Sequence, residues 1–201
     1  MLAPPELPLV PSGWPVKDDG LLMAYVGPVM GVYLGALTDA SWARHLVELR
    51  RAIDGRRPGT KVGVLYHLPG TNTADARRRK EAADFLESRR EELRASTAAY
   101  ALATPSPIVR GVLRAIYWLS SPPYPYAIVA TPREGFAYVA TKLEGVVVDR
   151  SEREWDRILR AHLGACADAE IGPPRGDRER AHHARDRDDD VASRPGARPR
   201  P

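Results

Sequence analysis

The chain has 201 residues, 43% of them hydrophobic and 28% charged, proportions that suit one globular domain with extensions and argue against a wholly disordered or fibrous chain. Its 30 lysines and arginines are nearly balanced by 26 aspartates and glutamates, a net charge of +4, and the two signs alternate along the helices, so the one-sided basic face of a nucleic-acid binder is absent. One cysteine, Cys166, excludes an internal disulfide framework and a multi-cysteine zinc site.

Residues 1–19 hold Pro4, Pro5, Pro8, Pro11 and Pro15, which remove amide donors too often for a helix or a central strand, so an extended arm is expected. This start has no basic n-region and no long apolar run. No stretch of the chain reaches the roughly 18 apolar residues of a membrane span, and a cytoplasmic location is the expectation. Apolar runs at 21–26 and 32–38, divided by Gly27, Pro28 and Gly31, read as two strands. Asp39 then caps a helix whose stripe is Trp42, Leu46, Leu49 and Ile53, ended by Gly55 and Pro58.

The run "KVGVLYH" at 61–67 is apolar on both faces, as a central strand should be. After Pro69 and Gly70 comes a long amphipathic helix, with Thr73 as cap, Ala82, Phe85, Leu86 and Leu93 as buried stripe, and Asp75–Arg79 and Lys80–Asp84 as outward i,i+4 pairs. "AAYALA" is a fourth strand. It leads into "PSPIVRGVLRAIYWLSSP", a helix with Ser106 as cap and Pro107 in its first position. Its residues Ile108, Val109, Val112, Leu113, Ile116 and Leu119 read as core on a sheet, against the alternative of an exposed partner groove. "YAIVA" is the fifth strand, and Thr131 to Glu134 forms a capping box. A second such box, Ser151 to Glu154, opens a last helix with Trp155, Ile158, Leu159 and Leu163 on one side, placed either to cap the sheet or to meet a second copy in a homodimer.

Alternating strands and helices imply crossover connections. The expected fold is α/β, with a mixed, largely parallel five-stranded sheet over residues 20–163, an arm at 1–19 and a disordered, charged Pro/Gly/Arg/Asp tail at 164–201. The element order and three stretches, "VYLGALTDASWARHL", "VLYHLPGTNTADARRRK" and "ATPSPIVRGVLRAIYWLSSPPYPYAIVATPREGFAYV", resemble the STAS family, and within it the SpoIIAA-like branch grouped with SEC14-type domains. The resemblance covers about residues 20 to 145. It implies a non-enzymatic regulatory or scaffold domain that works by contact with a protein partner, in some members switched by phosphorylation after the third strand. The Asp-Ser pair of the regulatory branch is missing there. Thr71 and Thr73 are the hydroxyls that stand in that place, with a plain loop residue and a helix cap as their other readings.

Three further readings come from single residues. His67 ends a strand beside a loop, the usual place for function in a parallel sheet, so an enzyme built around it is one alternative. No G-x-S-x-G elbow, HExxH pair or glycine-rich phosphate loop accompanies it, and a structural histidine is the other reading. Arg110, Arg114 and Trp118 share one helix face at i, i+4 and i+8 and, with Tyr124 in "SSPPYPY", form the expected partner surface. No cofactor or metal site is expected, since His182 and His183 fall in the tail. A carrier of a small apolar ligand, as in SEC14-type proteins, needs an internal cavity.

Overall fold

The backbone runs through β1 (Val16–Asp18), β2 (Leu21–Val26), β3 (Val29–Leu34), α1 (Asp39–Asp54), β4 (Val62–His67), α2 (Ala76–Ser88), α3 (Arg90–Ser96), β5 (Thr97–Ala103), α4 (Pro107–Leu119), β6 (Tyr126–Val129), α5 (Pro132–Ala140) and α6 (Val148–Glu170). This is a computed structural model and it describes residues 10–70, 76–119 and 121–170. Thr71, Thr73, Asp75, the first part of the expected arm at 1–9 and the tail from 171 onward lie outside the described residues, and with them the expectations placed there. The chain divides into two units after Leu163; the described part of the second is 164–170, the end of α6.

The class is α/β and the sheet is mixed, as expected, but it has six strands rather than five, in the order β1-β2-β3-β4-β5-β6. The first three form an antiparallel meander, and β3 to β6 run parallel. The extra strand is β1, within the segment expected to be a loose arm. Val16 pairs with Met23 and is 2% exposed. Trp14 packs its ring 5.1 Å from Tyr25 and donates from Nε1 to Glu48 Oε2 at 3.3 Å. Three residues are too few to show a period, and the preceding Pro15 sits where its missing N–H costs no ladder bond. The second strand pair turns at Gly27, whose φ of 56° favours glycine, so β3 starts at Val29 rather than at Val32.

Helices α1, α2, α3 and α4 lie on one face of the sheet, and α5 and α6 on the other. The strand β5 shows how side-chain alternation divides these faces. Ala99, Ala101 and Ala103 point to the α5 side, where their small size lets the helix approach, while Tyr100 and Leu102 point to the α1 side. On the α5–α6 face Phe136, Val139 and Trp155 are fully buried, each such burial contributing about 1.5 to 3 kcal/mol. The six-membered ring of Trp155 lies against Gly31, a position where any Cβ would run into the indole. The last helix therefore covers the sheet. Of its expected stripe Trp155 and Leu159 are buried and Leu163 is 42% exposed.

Four expected details change. Thr38, not Asp39, caps α1: its Oγ1 accepts from the Ser41 N–H at 3.1 Å, and Asp39 instead pairs with Arg77 and Arg78. The long helix after β4 breaks at Arg89 into α2 and α3, which keeps Phe85 and Leu93 buried but leaves Leu86 38% exposed. Helix α6 starts at Val148, one turn ahead of the Ser151 box, and its first turn is held by ion pairs from Arg133 to Asp149 and Glu152. The largest change is in α4, where Ile108 (77% exposed) and Val112 (51%) point away from the sheet and Ile116 (43%) lies at the margin between the two sides. Val109, Leu113 and Tyr117 are its inward side. The helix is apolar over more than half its circumference, so periodicity offers two adjacent stripes and does not choose between them. The choice is made by Arg110, which donates to the carbonyls of Thr104 at 2.7 Å and Pro105 at 2.9 Å, and by Arg114, which donates to Ile128 O at 3.4 Å. Turning both arginines toward the ends of β5 and β6 turns the other stripe outward.

Among the described residues no helix is long and apolar enough to cross a membrane.

Candidate functional site

The helices on the α1 face stand off the sheet and leave a cavity of about 640 Å³. Its floor is Met30, Val64, Tyr66, Tyr100 and Leu102, the cavity-side residues of β3, β4 and β5; its walls come from α1 through Leu46 and Leu49, from α2 through Ala82 and Phe85, and from α4 through Ile116 and Tyr117. The segment before β6 closes one end with Tyr124, which is 8% exposed. The Tyr100 N–H donates to Pro125 O at 2.9 Å and holds that segment against β5.

Aromatic rings follow one another along this space. Trp42 to His45 is 5.5 Å between centroids, His45 to Tyr66 5.8 Å, Tyr66 to Tyr100 5.4 Å and Tyr100 to Tyr124 5.6 Å. Such separations suit tilted and edge-to-face contact. The polar atoms among the rings are few. Tyr66 Oη and His45 Nε2 share a hydrogen bond at 3.3 Å, Trp42 Nε1 donates to Glu81 Oε2 at 2.6 Å, and His45 Nδ1 is buried with no partner among the described residues. Burial holds the His45 imidazole down at about 4, so it is neutral at pH 7. Burial also pushes the phenols of Tyr66, Tyr100, Tyr117 and Tyr124 up, which keeps them as neutral hydroxyls.

The charged exception is Arg56, in the loop after α1. It lines the cavity, and its Nη1 donates to Ser96 Oγ at 2.7 Å and to Ser96 O at 3.3 Å. Its Nε and Nη2 and the hydroxyl of the neighbouring Tyr25 are shut off from water, and the Tyr25 and Arg56 side chains engage each other. Burial pulls the guanidinium pKa down and nearby Tyr25, Tyr124 and Tyr66 oppose that, yet an arginine stays charged at any ordinary pH. The other lining arginines have carboxylate partners, Arg78 in Asp39 and Arg90 in Glu87.

The expected site residues are not brought together. Tyr124 is in the cavity wall, Trp118 is 83% exposed on the outer side of α4, and Arg110 and Arg114 are engaged with backbone carbonyls. His67 is on the opposite face of the sheet from the cavity. Its ring stands 5.5 Å from Tyr33 and 6.5 Å from Trp155, its Nδ1 is buried without a partner, and burial lowers its pKa, against the opposing charge of Asp156. The residues that sequence reasoning missed are Arg56, His45 and the tyrosines other than Tyr124. One signal was present: tyrosines number 8 and phenylalanines 2, so much of the aromatic core had to carry hydroxyls. No family model, no curated protein and no solved structure matches the chain.

Proposed function

We propose that this chain is a non-enzymatic binding domain that holds one small, mainly apolar molecule between the sheet and helices α1, α2 and α4, as carrier or sensor. The observation that carries this reading is the cavity itself. Protein interiors are close-packed, and voids larger than a water molecule are few. A space of about 640 Å³ lined mainly by apolar and aromatic side chains, with a handful of polar groups, falls in the range of small-molecule sites. Transfer of an apolar ligand into it gains about 25 cal/mol per Å² of surface removed from water. The likeness to STAS and SEC14-type domains agrees with a role without catalysis, and rests on the stretches quoted above.

The test is a titration with Nile red, a neutral apolar dye, followed by fluorescence. One saturable site is expected, and Ala82→Trp, which adds an indole inside the cavity wall, should weaken it at least tenfold while the far-ultraviolet circular dichroism is unchanged. Absence of saturable binding, or equal binding by the filled variant, contradicts the reading.

A second reading, the expected domain that acts by contact with a protein partner, is favoured by one observation, the outward apolar face of α4 with Ile108, Val112 and Trp118. It requires that Trp118→Ala weaken partner binding and leave dye uptake intact.

A further inference from the structure

Along the outer side of α4 Ile108, Gly111, Ala115 and Trp118 follow one another at spacings of three, four and three, the repeat of a seam between two helices, in the order large, small, small, large. All four are exposed, Ile108 at 77% and Trp118 at 83%, and a Cβ added at Gly111 would meet nothing within 4 Å. Small side chains at the middle of such a seam let two helices cross closely, and large ones at its ends fill the gap that widens as the axes diverge. An antiparallel copy of α4 supplies the matching surface. A two-fold axis level with Leu113 sets Ile108 against Trp118 of the second copy and Gly111 against its Ala115, each pair occurring twice, as an isologous interface requires. The only charged residues of α4, Arg110 and Arg114, lie off the seam and are drawn back to the carbonyls of Thr104, Pro105 and Ile128, so like charges are not aimed across the pair. A lipid surface would instead draw on basic side chains reaching outward beside the apolar face. The outer face offers on the order of 500 Å² of apolar surface per copy, and about 1,000 Å² for a pair is where specific interfaces begin.

We propose that this chain forms a two-fold homodimer through α4, the two helices crossing antiparallel at Gly111 and Ala115 with Trp118 of each copy packed on Ile108 of the other. The inference rests on the contact reading above, whose partner it names, and is independent of the cavity.

The test is sedimentation equilibrium of the full chain as wild type, Trp118→Ala and Gly111→Lys, with circular dichroism on each. An interface of this size should give a dimer with a dissociation constant on the order of 10 μM. Both substitutions fall at exposed positions and should keep the helix signal, and each should weaken the dimer by about tenfold or more, the first by removing its largest contact and the second by placing a cation at the crossing. Gly111→Cys and Ala115→Cys chains, each also carrying Cys166→Ser, should cross-link on oxidation faster when mixed than either does alone. A wild type that stays monomeric throughout the titration overturns the inference and leaves the contact reading standing for a different partner. A dimer that neither substitution weakens overturns the assignment to α4, and preferential cross-linking of Gly111→Cys to itself overturns the antiparallel register. A monomer that binds vesicles of phosphatidylcholine and phosphatidylserine, and loses that binding with Trp118→Ala, overturns the second copy in favour of a lipid surface.

Discussion

Tyr66 and His67 are neighbours in the chain and are separated by the sheet: Tyr66 shares a hydrogen bond with His45 at 3.3 Å inside the cavity wall, and His67 stands 5.5 Å from Tyr33 beneath α6. The two-residue period of a strand enforces this. Tyr66→Phe should therefore change affinity for a cavity ligand without affecting the α6 side, and His67→Ala should leave dye binding within a factor of two. A tenfold loss from His67→Ala, measured by the same titration, would show that the strand end and the cavity are one site.

The buried His45 makes stability depend on pH in a defined window. Its folded-state pKa of about 4 lies below the ordinary value of 6.5, so between these values the unfolded chain binds more protons, and stability falls as pH drops from about 6.5 toward 4. The loss is on the order of 3 kcal/mol by pH 4 and is absent above pH 7. His67 and His162, also held down by burial, add in the same direction. Urea midpoints for the wild type and His45→Leu at pH 7 and pH 5 check this: the variant should show the smaller difference between the two pH values.

Helix α4 is expected to tolerate charge on its outer side. Val112→Asp should shift unfolding free energy by less than about 1 kcal/mol, the usual scale for an exposed substitution, while Leu113→Asp, one position on and facing inward, should cost more than about 3 kcal/mol. Circular dichroism during urea unfolding separates the two. Unfolding of Val112→Asp would mean that α4 sits with its other stripe inward.

Gly31→Ala should cost about 1 to 3 kcal/mol, because the new methyl group runs into the fully buried Trp155 ring and one of them must shift. Trp155→Leu in the same chain should recover part of that loss. A double variant no better than the sum of the two single changes would show that the contact is not the cause.

These cases also mark what was legible in the residues. The strand–helix alternation from 61 to 140 was, because "KVGVLYH", "AAYALA" and "YAIVA" are bounded by prolines, glycines and caps that each act locally. The Thr131 cap is an example: its Oγ1 accepts from the Glu134 N–H at 3.2 Å. The rotation of α4 was not, since it depends on carbonyls at the ends of two strands that reach Arg110 and Arg114 only after folding. Nor was the cavity. Arg56 stands in "DGRRPGT", which reads as a surface turn, and Tyr25, Tyr66, Tyr100 and Tyr124 are spread over four separate elements or connections. No window of sequence contains their convergence, which exists only because β2, β4, β5 and the segment before β6 bring the four to one side of the sheet.

The claim that the space between α1, α2, α4 and the sheet is a binding site is tested most directly by nuclear magnetic resonance with 1-decanol. Intermolecular contacts from its methylene protons should appear at the side chains of Leu49, Tyr100 and Leu102, with amide shifts concentrated along β4 and β5. Contacts confined to Ile108, Val112 and Trp118 on the outer side of α4, with the sheet residues unmoved, would contradict it.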